Sequence, residues 1–186
     1  MRWERLFGDL EAELEAFEAA ELESEIAERT RSERARLRLV DRLRGSVGRS
    51  VVLRVSGAGQ LTGELRAVGL DWLLVRPPDG ADRLVRTTAV LELAGLASSS
   101  AAEGSAGVVA SRFSLSAVLR GLARDRTVVT ITLIDGSART GTIEVAGADL
   151  VEISERRHDE PGFAGPPGAA VRRGIPLAAL AVVREH

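Results

Sequence analysis

Apolar and polar residues alternate along this chain in one pattern that occurs twice. Val51-Val52-Leu53-Arg54-Val55 leads to Leu61-Thr62-Gly63-Glu64-Leu65, and then to Gly69-Leu70-Asp71-Trp72-Leu73-Leu74-Val75. Val129-Thr130-Ile131-Thr132-Leu133 leads in the same way to Arg139-Thr140-Gly141-Thr142-Ile143 and Gly147-Ala148-Asp149-Leu150-Val151-Glu152-Ile153. A period of two puts every second side chain on one face of a strand. The two Thr-Gly pairs and the two Gly-x-Asp turns keep one spacing, which unrelated strands rarely do, so a single β-module is duplicated. Leu53, Val55 and Leu65 are therefore expected at the interior positions that Ile131, Leu133 and Ile143 take in the second copy. Gly63 and Gly141 are expected at equivalent bends.

A different period governs the first residues. From Arg2 to Leu43 there is no Pro, and Ala, Glu, Leu and Arg dominate, which predicts a long amphipathic helix. Trp3, Phe7, Leu10, Leu14 and Phe17 follow steps of four and three, the seam of a coiled coil or of a docking helix. Leu22 and Ile26 leave that register, and the polar stretch from Glu28 to Glu33 marks a break or bend before Leu37, Val40 and Leu43 start a second apolar stripe. Acids fill the first part of the segment, and Arg29, Arg31, Arg34, Arg36, Arg38, Arg42 and Arg44 the second. Complementing the helix dipole suits acids at the start and bases at the end, but the effect fades within a turn of each terminus. Antiparallel pairing of two such helices would set acid against base along the full length.

Turn signals divide the rest. Gly45 to Arg49 ends the helix, Pro77-Pro78-Asp79-Gly80 turns the chain inside the first module, and Ala97 to Ala110, with three consecutive serines, has the composition of a flexible linker. Ser114 is placed to cap a short helix through Leu115, Val118, Leu119 and Leu122 ahead of the second module. The expected fold is mainly β with helices: a long helix over 1–44, a first barrel over 45–96, a linker over 97–112, and a helix with a second barrel over 113–186. Trp72 falls in an alternating strand where core and surface are both open to it.

Composition narrows the chemistry. With 0 Cys there is no disulfide framework, thiol nucleophile or cysteine zinc site. All 25 basic residues are Arg, so a Lys-bearing phosphate loop is excluded, and net charge is -2, unlike a strongly basic polyanion binder. His158 and His186 are the only histidines, and His158-Asp159-Glu160 supplies too few convergent ligands for a metal. No Ser-His-acid arrangement stands out. No enzyme activity, metal or cofactor is expected. No apolar run reaches the roughly 20 residues that span a bilayer, and the acidic N-terminal segment lacks a signal-peptide pattern. The expected location is the cytoplasm.

A short helix followed by about five strands, with Gly in the second, resembles the Sm-like fold of the Sm and LSm proteins, Hfq and the C-terminal domain of RimP. The residues that carry the resemblance are Asp135-Gly136, Gly141-Thr142-Ile143, Gly147-Ala148-Asp149-Leu150, and Arg173-Gly174-Ile175-Pro176-Leu177-Ala178-Ala179-Leu180, whose counterpart in the first module is Val85 to Leu93. The resemblance implies two small β-barrels, each preceded by a helix. The Asn and the aromatic platform by which Sm proteins hold bases have no match, since Asn is absent and acids occupy the loop. Residues 1–11 also resemble the start of poorly characterised actinobacterial proteins, some labelled Fis-like regulators, although no helix-turn-helix pattern accompanies them.

The long connection from Glu155 to Arg173 presents Arg156, Arg157, Phe163, Arg172 and Arg173 around a Gly-Pro segment. Such a loop is either solvated or functional. Two functions follow. In one, the chain is a non-enzymatic adaptor that binds a protein partner, or itself as a homo-oligomer, through Trp3, Phe7, Leu10, Leu14 and Phe17 and through its barrel loops. In the other it is an RNA- or ribosome-associated factor that sets Arg29 to Arg49 and the Arg-bearing loop against phosphates.

Overall fold

The computed structural model describes residues 21–22, 38–97, 110–156 and 170–186, with backbone only at 111, 156 and 170. The chain divides into two compact units, Met1–Leu39 and Val40–His186. In the first, Glu21 and Leu22 are helical and exposed, and Arg38 and Leu39 are exposed. The Trp3 to Phe17 strip, Arg29 to Arg36 and most of the linker lie outside the described residues.

The second unit is mainly β. Helix α1 (Leu39–Arg44) leads into strands β1 (Ser50–Val55), β2 (Gly59–Val68), β3 (Trp72–Arg76), β4 (Arg83–Arg86) and β5 (Val90–Ala94). Helix α2 (Leu115–Arg124) then leads into β6 (Val128–Leu133), β7 (Ala138–Ala146), β8 (Leu150–Arg156), β9 (Ala170–Pro176) and β10 (Leu180–Glu185). A 3-10 turn precedes the last strand of each half, at Thr87–Ala89 and at Leu177–Ala179. All pairings are antiparallel, and the strands form one sheet in the order β5-β1-β2-β3-β4-β10-β6-β7-β8-β9.

The two halves repeat residue by residue. Val51 lies opposite Gly63 as Val129 lies opposite Gly141. Leu73 faces Val85 as Val151 faces Ile175, and Leu53 faces Leu93 as Ile131 faces Val183. A Cβ on Gly63 would overlap the Arg76 carbonyl, and one on Gly141 the Ser154 carbonyl, so each glycine is fixed by the close approach of the next strand. The irregularities of the second strands fall just beyond, between Leu65 and Ala67 and between Ile143 and Val145. A bulge of this kind bends and twists its strand. Arg66 and Glu144 are the residues at these irregularities, three positions beyond each glycine.

Alternation in β1 buries Val51, Leu53 and Val55 and leaves Val52 and Arg54 outside. Leu53, Val55, Leu65, Ile131 and Ile143 are buried as the repeat requires, and Leu133 is half-buried. Each buried Leu or Ile contributes about 1.5–3 kcal/mol relative to exposure. Two apolar clusters result, one per half. Leu43 of α1 belongs to the first, and Leu115 and Leu119 of α2 to the second, with Val118 and Leu122 packed beside them. Ser114 caps α2, its hydroxyl accepting the Ala117 amide at 3.4 Å. Ser46, fully buried, donates to the Arg42 carbonyl at 2.8 Å and accepts the Ala97 amide at 2.8 Å, tying the end of α1 to the end of the first half.

Candidate functional site

The place where the halves meet has a built structure. β4 pairs with β10, setting Val85 against Val182, Leu84 against Val183 and Arg83 against Arg184. Side chains cross this junction in both directions. Trp72 and Leu84 of the first half are part of the second half's cluster, with Ala67 and Leu74 packed against it. Ala181 and Val182 of the second half are part of the first half's cluster.

Polar contacts close the same junction. The Trp72 indole donates to the Phe113 carbonyl at 3.0 Å, which also accepts the Leu70 amide at 3.1 Å. An Asp71 carboxylate oxygen accepts the Leu115 amide at 2.6 Å, satisfying a donor at the start of α2. Ser56 donates through its hydroxyl to the Ile134 carbonyl at 3.0 Å, and Arg86 donates to the Leu177 carbonyl. Gly57, at φ 71, brings the β1–β2 turn so close to the β6–β7 turn that a Cβ would overlap the Leu133 carbonyl.

The repeat places a counterpart of each crossing residue at the two ends of the sheet. Among the described residues, the outer sides of β5 and β9 carry no strand partner. Leu91 stands where Ala181 stands in the second half, yet it is 63% exposed and Ala181 is 0% exposed. Leu150 takes the place of Trp72 at 37% exposure against 5%, and Val145 the place of Ala67, also exposed. Glu92 replaces Val182, Glu152 replaces Leu74 and Gly174 replaces Leu84. The same positions that bury an interface in the middle of the molecule are left in solvent at its ends.

Of the arginines singled out in the sequence, Arg38 is exposed and Arg42 and Arg44 are half-buried, Arg44 lying 3.9 Å from Asp41. Arg172 lies 3.8 Å from Glu152, and Arg173 donates to Glu155 at 2.7 Å, with Arg139 at 3.9 Å from the same carboxylate. Arg156 ends β8, and Arg157 and Phe163 lie outside the described residues. α1 leads into β1 near one end of the strand order, and Arg172 and Arg173 sit on β9 at the other end of that order. Sequence inspection did not single out Leu91, Glu92, Val145 or Arg120, Arg124 and Arg126. The last three are exposed near the end of α2 with no ion pair among the described residues. Their i, i+4 spacing on α2 was the available signal for Arg120 and Arg124.

In the β3–β4 turn, Arg76 donates to both oxygens of Asp82 at 2.8 Å, and this hydrogen bond holds the Asp82 carboxyl below the usual range. Asp79 is lowered by the Ala81 amide, and Asp135 by the Ser137 hydroxyl and amide. Among the described residues no three His, Asp or Glu side chains gather as a metal site, and no helix is long and apolar enough to cross a membrane. No family model, curated protein or solved structure matches the chain.

Proposed function

We propose that this protein is a non-enzymatic adaptor of the cytoplasm, built from two small Sm-like barrels, that self-associates and holds a macromolecular partner. Each half consists of a helix, four antiparallel strands, a 3-10 turn and a closing strand, which supports the barrel assignment. One observation carries the function: Leu91, Val145 and Leu150 are exposed at positions whose repeat equivalents, Ala181, Ala67 and Trp72, cross the inner junction. Scattered exposed apolar side chains are ordinary on a soluble protein, so the support lies in the repeat: these positions bury a contact wherever a second module is beside them. Trp3, Phe7, Leu10, Leu14 and Phe17 would add a second apolar strip for the same purpose.

RNA or ribosome association is favoured by one separate feature, the exposed Arg120, Arg124 and Arg126, which lack acidic partners among the described residues. Salt separates the two functions, because neutralised phosphates release counterions and affinity then falls steeply with ionic strength. Sedimentation of the full chain over a range of concentrations, at low and high salt, is the test. The adaptor is supported by self-association that changes little with salt. A monomer at every concentration that binds single-stranded RNA with a steep salt slope, lost in Arg120→Gln/Arg124→Gln, supports the RNA function instead.

A further inference from the structure

One row of side chains crosses the inner junction and differs in charge from its repeat equivalents. Arg83 of β4 lies opposite Arg184 of β10, Arg184 lies opposite Thr130 of β6, and Thr130 lies opposite Thr140 of β7. Residues opposite one another on paired strands share a face of the sheet, with neighbouring strands about 4.8 Å apart. Like charges so placed repel. At the far end of the strand order Arg173, the equivalent of Arg83, lies 2.7 Å from Glu155 and is balanced there. In the first half Ala94, Val52 and Thr62 take the places of Arg184, Thr130 and Thr140, and they carry no charge. The facing arginines belong to the junction alone, not to the repeated module.

The groups of this row are held in place. The Arg83 side chain is 20% exposed, its Nη2 donates to the Asp79 carboxylate, and its Nε is buried with no hydrogen-bond partner. Arg184 is half-buried and has neither an ion pair nor a side-chain hydrogen bond among the described residues. Its charge still reaches Asp79, whose carboxyl is held low first by the Ala81 amide and then by Arg83 and Arg184. Two guanidinium groups thus meet one carboxylate, and positive charge is in excess. Thr130 is fixed by its neighbours, its hydroxyl 2.8 Å from that of Thr140 and 2.6 Å from His186 Nε2. With both neighbours donating to it, the Thr130 hydroxyl keeps its own hydrogen for an acceptor.

We infer that this row binds a phosphate group, with Arg184 at its centre and Arg83 and Thr130 on either side. The three acceptor oxygens of a phosphate group point in different directions, one toward each of these donors. A carboxylate is planar with two oxygens, and Asp79 already fills that role on Arg83. Guanidinium forks match phosphate oxygens, and a bound dianion removes the repulsion between the two arginines. The ligand is free phosphate or the end of a small phosphate ester. All its contacts come from one chain, so the site does not depend on self-association.

The test is calorimetric titration of the full chain with inorganic phosphate and with phenyl phosphate, paired with urea unfolding in each and in chloride at equal ionic strength. Phosphate should bind and raise the urea midpoint, because a ligand of the folded state stabilises it, and chloride should not. A response to phenyl phosphate as strong as that to phosphate identifies an ester end as the source, and a response to phosphate alone identifies the free ion. Arg184→Gln should weaken binding about tenfold or more. Without phosphate its urea midpoint should equal or slightly exceed that of the wild type, since a repulsion is gone, and this also shows that the variant folds. Thr130→Val, which keeps the side-chain shape, gives a second and smaller loss of affinity. Arg126→Gln, the same change of charge outside the row, should bind as the wild type does. Stabilisation by phosphate that is equal in the wild type and in Arg184→Gln is surface exclusion of the salt and overturns the site. Single-stranded RNA binding that is lost in Arg184→Gln, with no response to either phosphate probe, overturns it too and makes the row a nucleic-acid contact.

Discussion

Ala181 and Leu91 occupy the same position in two copies of one module, and one is sealed while the other is 63% exposed. The difference has nothing to do with the strand either belongs to. Each precedes by two residues an inward side chain, Val183 or Leu93, that contacts its own half's core. What separates them is a neighbour: β4 pairs with one side of β10, and among the described residues no strand pairs with the outer side of β5. Burial at these positions is a property of the junction, so the two ends of the sheet show what the middle would look like if the halves were parted.

The largest energetic difference between the two halves is expected at Trp72. Its ring sits in the second half's cluster, and its indole N–H finds the Phe113 carbonyl at 3.0 Å. Trp72→Ala removes both the packing and the bond, and should cost about 3–5 kcal/mol. Its equivalent, Leu150, is 37% exposed and holds no junction, so Leu150→Ala should cost under about 1 kcal/mol in a dilute sample. Urea denaturation of both variants gives the contrast. Equal costs would mean that the two positions are equally buried, and that a partner covers Leu150 under the conditions used.

A test of the repeat itself, expected to be smaller, uses the paired glycines. Gly63→Ala and Gly141→Ala each drive a methyl toward the carbonyl of the neighbouring strand, Arg76 in one case and Ser154 in the other. Overpacking of this kind costs about 1–3 kcal/mol. The two losses should agree closely, because the two approaches are equivalent. If one substitution were neutral and the other severe, the halves would differ in the strand geometry that the pairing assigns to both.

These glycines show why the fold was legible at this level. Alternating Val51, Leu53 and Val55, their copies Val129, Ile131 and Leu133, and the Thr-Gly pairs are local patterns, and local patterns report strands and turns. Ser114 as a helix cap was legible for the same reason. The pairing of β4 with β10 was not, since Leu84 and Val183 are far apart in sequence and no periodicity in either strand names its neighbour. Trp72 stayed ambiguous because both faces of its strand become buried once the junction forms. The exposed positions of the candidate site were invisible for the converse reason: Leu91 and Val145 look like ordinary strand residues until the covered copies are laid beside them. The N-terminal seam and the Phe163 loop lie outside the described residues and add nothing to this comparison.

The start of α2 separates the two halves by a smaller energy. Asp71 accepts the Leu115 amide at 2.6 Å, acting across the junction as part of the helix cap. Losing a capping acceptor costs about 0.5–2 kcal/mol, so Asp71→Ala should lower stability by that amount. Asp149 is its repeat equivalent, exposed, with its backbone carbonyl accepting the Leu177 amide at 2.7 Å just as the Asp71 carbonyl accepts Thr87 at 3.0 Å. Asp149→Ala keeps that backbone bond and should leave thermal stability almost unchanged. A large loss there would show that its carboxylate already has a helix to cap.

The smallest effect is electrostatic and belongs to turns that the two halves do not share. Asp82, hydrogen-bonded by Arg76, and Asp79, beside the Ala81 amide and Arg83, lie in the β3–β4 turn of the first half, and both carboxyls are held below the ordinary value of 3.8. Asp135 is lowered in the β6–β7 turn of the second half, where the first half has Gly57-Ala58-Gly59 and no acid. A carboxyl with a depressed folded value binds its proton less readily folded than unfolded. Its contribution is therefore complete above about 3.8 and is lost as the pH falls below that toward the lower folded value. The groups are largely exposed and screened by solvent, so the loss for each is small. Urea midpoints measured between about pH 5 and pH 2 should fall on the acid side, and Asp82→Asn should shallow that fall while lowering the midpoint slightly at pH 5. An acid limb unchanged by Asp82→Asn would mean that the Arg76 bond holds no protonation-dependent stability, and that the turn is held by its other bonds, the Gly80 amide on the Pro77 carbonyl at 3.0 Å and the Ala81 amide on Asp79 at 3.1 Å.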